Sequence, residues 1–154
     1  MRDVSQPGLV TDYEAWSLRA WGHNRCHHGL HVATGILIAE SLHDDATLQG
    51  SRQLTRIERI TATNLSEARR AAGLPLAWTG LHLELGDAQA QALAQALADQ
   101  LLRAGWHAEF NTEAETLTVF AGRVFRYRSG DDKARAEAYA YGVAHGVPEE
   151  QFVA

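Results

Sequence analysis

The chain is poor in the residues that staple or punctuate small folds: it has one cysteine, Cys26, three prolines and a single lysine, Lys133. One cysteine excludes an internal disulfide. Long hydrophobic runs are missing too. The longest, Val32 to Ala39, is interrupted by Thr34 and Gly35, far short of the ~20 residues of a membrane span. Met1 to Gly8 is polar with no apolar stretch, which predicts no secretory signal and a cytoplasmic protein. A large positive charge is also lacking. The formal net charge is −5, which argues against binding of a nucleic-acid backbone, since that needs a basic face.

What is present is ordinary for a globular chain: 45% hydrophobic and 21% charged residues in a length of 154. That length predicts one domain over 1–154, able to bury a core without metal or disulfide. Residues 1–75 read as short helices with two strands, and 76–154 as a β-α-β-β-β-α layer. Neither half alone holds a comfortable core.

Turn and cap signals set the expected elements. Thr11-Asp12-Tyr13-Glu14 has the form of a capping box opening a helix to about Trp21, with an extended segment as the alternative. His31 to Glu40 predicts a strand rich in β-branched residues. Gln53 to Thr61 fits a strand, and a helix nearly as well. Asn64 to Ala72 reads as a capped helix stopped at Gly73-Leu74-Pro75. In Trp78 to Leu85, Leu81, Leu83 and Leu85 alternate with Gly80, His82 and Glu84, the pattern of a half-buried strand. Asp87 is expected to cap the best helix, which runs to about Ala104 and stops at Gly105, with Leu93, Leu97 and Leu101 on one face. Trp106 begins a strand. Leu117–Ala121 and Val124–Arg128 predict a hairpin with Gly122-Arg123 in a type II′ turn. A last helix opens at Asp131 or Asp132 and stops at Gly146-Val147-Pro148. The expected fold class is α+β, an antiparallel sheet with helices packed mainly on one face.

One segment stands out chemically. Four histidines and the cysteine fall within His23-Asn24-Arg25-Cys26-His27-His28-Gly29-Leu30-His31. His23, His27 and His31 are spaced by four. On a helix that spacing shares one face and could chelate zinc. On a strand, at about 3.3 Å per residue, neighbouring members of the series stand ~13 Å apart. Gly29 and the β-branched run after it oppose a continuous helix, while a turn at Cys26 to Gly29 would bring Cys26 or His28 near His23 or His31. The pattern lacks His-Glu-x-x-His and paired Cys-x-x-Cys. A metal set of His23, Cys26, His27 and His31, for zinc or another divalent ion, competes with a metal-free site. There His27 or His31 would act as base and Cys26 as nucleophile. It competes also with histidines simply bonded to backbone carbonyls. A fourth metal ligand would come from His43, Asp44, Asp45 or His82.

Elsewhere, His82, Glu84, His107 and Glu109 could form a second polar site or a solvated sheet face. Arg123, Arg126 and Arg128 are expected to pair with Glu109, Glu113 and Glu115, and Arg52, Arg56 and Arg59 form a short basic edge. Tyr139, Tyr141 and Val143 read as core or interface residues.

From Trp106 onward, Val119-Phe120-Ala121-Gly122-Arg123-Val124-Phe125-Arg126-Tyr127 and Gly146-Val147-Pro148-Glu149-Glu150 give a chain that is similar to short uncharacterised bacterial α+β proteins. The resemblance covers the last third, rests on turn and helix-stop motifs, and implies no function. His31 to Ile60 faintly resembles the β-barrel second domain of translation GTPases, without a GTPase domain before it.

The functional expectation is a His/Cys-rich polar pocket for a metal or small molecule, with hydrolysis or elimination as the class if it is an enzyme. One alternative is an acidic inhibitor or immunity module, with Asp44, Asp45, Glu113, Glu115, Asp131 and Asp132 on one acidic face. Another is a non-catalytic small-molecule-binding or resistance protein. The partner would be a small molecule or a protein, with neither nucleic acid nor membrane, and a homodimer is compatible with the sequence.

Overall fold

The computed structural model describes residues 31–61 and 77–152, with the isolated positions 71, 73 and 75. The expected helix over 11–21, the one over 64–72 apart from position 71, and the segment 23–30 lie outside the described residues.

Six strands form one antiparallel sheet: β1 (Val32–Ile38), β2 (Gln53–Thr61), β3 (Ala77–Gly86), β4 (His107–Asn111), β5 (Glu115–Phe120) and β6 (Arg123–Arg128). Their spatial order is β2-β3-β1-β4-β5-β6. Helix α1 (Asp87–Ala96, continued by a wider turn Leu97–Leu101) joins β3 to β4, and α2 (Asp132–Ala144) follows β6. The order from β3 onward is the β-α-β-β-β-α read from the sequence. β1 pairs antiparallel with both β3 and β4, so β3 and β4 run parallel with β1 inserted between them. This is a split β-α-β unit, in which α1 must cross over β1. No helix among the described residues is long and apolar enough to cross a membrane.

Alternation along the strands divides the core in two. On one face, Ala33, Leu37, Leu83, Leu85, Ala108, Phe110, Leu117 and Val119 pack against Ala90, Leu93, Ala94 and Leu97 of α1. Gly35 lies in the middle of this face because Phe110 crosses it; a Cβ at Gly35 would stand 2.2 Å from Phe110 Cδ1. The opposite face carries Phe120 and Tyr127, which cluster with Ala138 and Val147 at α2. The two helices therefore lie on opposite faces. The α+β antiparallel sheet holds, but the expectation that its helices share mainly one face does not. Neighbours Val119 and Phe120 point to opposite sides of β5, and each side has its own apolar demand.

Local signals act as their chemistry requires, with two shifts. Gln89 Oε1 accepts from Gly86 N at 2.8 Å, so Gly86 rather than Asp87 is the N-cap. α1 also ends before Ala104. Leu102 N donates back to Leu97 O at 2.9 Å, and Arg103 N donates to Ser41 O at 2.8 Å, so the segment after β1 captures the chain. In the β5–β6 hairpin Phe120 faces Arg123. The two-residue loop is thus Ala121-Gly122, with Gly122 second, at φ 86°. A positive φ there suits a type II rather than a type II′ turn. The stop of α2 follows expectation. Val147 N donates to Gly142 O at 3.0 Å and Gly146 N to Val143 O at 3.2 Å, the paired bonds of a Schellman end.

Candidate functional site beneath the second helix

His31 is the one member of the predicted histidine and cysteine set that is described. It stands exposed just before β1, and its Nδ1 lies 3.0 Å from Glu113 Oε2. His23, Cys26 and His27 lie outside the described residues. Among the described residues no group of three or more His, Cys, Asp or Glu side chains could hold a metal ion. His82, considered as a fourth ligand, is engaged elsewhere, with its Nε2 3.0 Å from Glu58 Oε2 and 3.2 Å from Arg56 Nη2. Asp44, another candidate, accepts from Arg103.

The sheet separates the second polar set as well. His82 belongs to the β2–β3 edge. His107 and Glu109 lie beyond β1, on the face that α2 covers, so they are not a solvated polar face. The expected arginine pairing is also replaced. Glu115 faces Arg128 across β5 and β6, but its carboxylate accepts from Gln91 Nε2 at 2.7 Å. Arg123 instead lies over the rings of Phe125 and Tyr141 at 4.4 and 5.0 Å.

The densest polar arrangement forms around Glu109. In the His-Ala-Glu-Phe-Asn sequence of β4, Ala108 and Phe110 face α1, so His107, Glu109 and Asn111 face α2. Glu109 is paired with Thr118 on β5. Thr118 Oγ1 lies 2.8 Å from Tyr127 Oη, and Thr116 Oγ1 donates to Asn111 Oδ1 at 2.8 Å. From above, α2 brings Arg135 and Tyr139, one turn apart, and Arg135 Nε donates to Tyr139 Oη at 2.9 Å. Among them is a cavity of about 150 Å³ lined by Glu109, Thr116, Tyr127, Gly130, Asp131, Asp132 and Arg135. Asp131 also caps α2, accepting from Ala134 N at 3.0 Å.

Electrostatics follow from burial. Removal from water pushes the Glu109 carboxyl above its usual range, and the Arg135 charge and hydrogen bonds from Asn111 and Tyr139 only partly offset this. The same burial pushes Tyr127 up to about 12 and raises Tyr139. Next to the cavity, burial pulls His107 down to about 4. Its Nδ1 lies 3.1 Å from Gln151 Oε1, and its ring is 4.7 Å from that of Phe152. The neutral imidazole is thus a packing and hydrogen-bonding group at neutral pH.

The alternation of β4 puts Glu109 and His107 on one face, and nothing local to that strand shows that the face is covered. The signal that could have found the cover is on α2. Tyr139, one turn after Arg135, needs a buried partner, and so do Thr116, Thr118 and Tyr127 on alternating positions of β5 and β6.

The chemical capacity of the arrangement is clear. A carboxyl with a raised proton affinity keeps its proton, and so its ability to donate a hydrogen bond, to higher pH than an exposed one. Asp131, Asp132 and the Arg135 guanidinium share the lining. No family model, curated protein or solved structure matches the chain.

Proposed function

We propose that this protein binds a small, donor-bearing polar molecule, of amine or amidine type, in the cavity beneath α2, with Glu109 as the group that grips it. The observation that carries this is a carboxyl with raised proton affinity lining a cavity that Asp131 and Asp132 line as well. Carboxylates in the lining favour a cationic visitor, and an ammonium beside Glu109 would add to the partial compensation that Arg135 already gives its charge. The test is thermal unfolding of the whole chain with a panel of alkylamines, amino alcohols, guanidines and amidines, against matched alcohols and carboxylates. A cationic member should raise Tm in the wild type and lose that effect in Glu109→Gln. A panel with no effect, or an effect that Glu109→Gln retains, sinks the proposal.

A second reading, metal binding by the histidine and cysteine segment, is favoured by one observation. A carboxylate against His31 Nδ1 holds the proton on that nitrogen and turns the Nε2 lone pair outward, as in carboxylate–histidine–zinc arrangements. Elemental analysis of tag-free protein purified without chelators tests it. Near-stoichiometric zinc, copper or iron that falls in a His23, His27, His31 triple alanine variant supports a ligand set. Metal-free folded protein removes it.

A further inference from the structure

We propose that β2 is a self-pairing edge, joining two copies of this chain into one continuous antiparallel sheet about a two-fold axis at Ile57. Among the described residues β2 is a terminal strand of the sheet, nine residues long and free of proline. A free edge of that length presents unpaired backbone groups to any complementary strand. Its α1-side residues Leu54 and Ile57 pair with Leu83 and Leu81 of β3, yet remain 48% and 63% exposed.

The occupant follows from register. In an antiparallel pair related by a two-fold axis normal to the sheet, directly opposed residues share a face, so the axis passes through a residue. Centring on Arg56 would set arginine against arginine, centring on Glu58 glutamate against glutamate, and centring on Arg59 arginine against arginine again. Centring on Ile57 sets Ile57 against Ile57 and places Arg56 of each copy opposite Glu58 of the other. Opposite charges directly across a strand pair stabilise it, and like charges destabilise it. Arg56 and Glu58 already lie side by side on the face away from α1, where they are ion-paired within one chain. Pairing extends that alternation across the axis. Ile57 gains an apolar neighbour, its own copy, on the α1 side. The irregularity between Leu54 and Arg56 limits continuous pairing to the part of the strand that includes this charge pattern.

The experiment is sedimentation analysis of the full chain from about 10 µM to about 1 mM, the range in which a small interface reveals itself. The wild type is expected to pass from one-chain to two-chain mass. Ile57→Lys sets two ammonium groups at the axis and should weaken association by at least about tenfold. Ile57 is exposed, so the variant should keep its fold, which circular dichroism verifies. Arg56→Glu alone and Glu58→Arg alone oppose like charges and should each stay monomeric. Mixed together, they oppose only unlike charges and should form a heterodimer. Wild type that stays monomeric throughout, a dimer that survives Ile57→Lys, or a mixture of the charge variants that stays monomeric overturns the proposal.

Discussion

The two faces of this sheet are built by the same strands and obey different economies. Under α1 the inward positions are mainly aliphatic, aromatic or glycine, with Glu115 bonded to Gln91 of α1 as a polar exception, and the contact is packing of apolar side chains. Under α2 the inward positions alternate aromatic rings with Glu109, Thr116, Thr118 and Tyr127, and the polar groups satisfy one another. The first face specifies shape by volume. The second specifies it by hydrogen bonds and charge, and it carries a cavity of about 150 Å³. A binding site needs polar groups held rigidly out of bulk water, and only the second arrangement supplies them.

The sharpest way to break the contrast is to remove volume from the dry face. Leu97→Ala should cost about 2–5 kcal/mol in urea unfolding, because Leu97 is fully buried. Titration should separate the faces next. His107 is held below its ordinary value, down to about 4. The unfolded chain then binds more protons between about pH 4 and 6.5, and stability falls as pH drops through that window. The loss is on the order of 2–3 kcal/mol, and His107→Gln should remove it. Glu109 works in the other direction. Its raised value means the folded state holds its proton more tightly, a contribution present below the ordinary carboxyl range and lost as pH rises through the folded value. Glu109→Gln should therefore steepen the net rise of stability with pH, and His107→Gln should unmask a decline. If both profiles match the wild type, the polar face does not titrate as described.

At α2 the approach to the sheet is set by Gly142. A Cβ there would stand 2.5 Å from Phe120 Cε1 and 2.6 Å from Phe152 Cζ. Gly142→Ala should cost about 1–3 kcal/mol by overpacking, and lifting α2 should weaken ligand binding in the cavity more than the equivalent stability loss from Leu97→Ala. The smallest effect is expected from Tyr127→Phe, which removes the bond to Thr118 and should cost about 1 kcal/mol.

Legibility in the sequence followed the range of the interactions. The Schellman stop at Gly146-Val147-Pro148, the alternation of Leu81, Leu83 and Leu85, and the apolar face of α1 involve residues a few positions apart, and all were readable. Gly122 was read correctly as a turn glycine but one position out of phase, because pairing of Phe120 with Arg123 depends on two strands at once. The arginines at the hairpin were matched with the wrong partners. Gln91 from α1 takes Glu115, and the rings of Phe125 and Tyr141 take Arg123, choices that no spacing along the chain contains. Of the predicted histidine and cysteine set, His31 alone is described, at the end of the sheet that also carries Glu113, Asp131 and Asp132. Asp44 lies elsewhere, paired with Arg103.

By itself the sequence determined the α+β class, the strand and helix order from Ala77 onward, and the stop of α2, because each of these depends on local periodicity and backbone preference. Only the tertiary structure decided that β1 lies between β3 and β4, that α2 covers the face opposite α1, and that Glu109 is consequently enclosed with Arg135 and Tyr139. Those outcomes depend on which apolar surface each element finds to bury, a quantity shared between segments far apart in the chain.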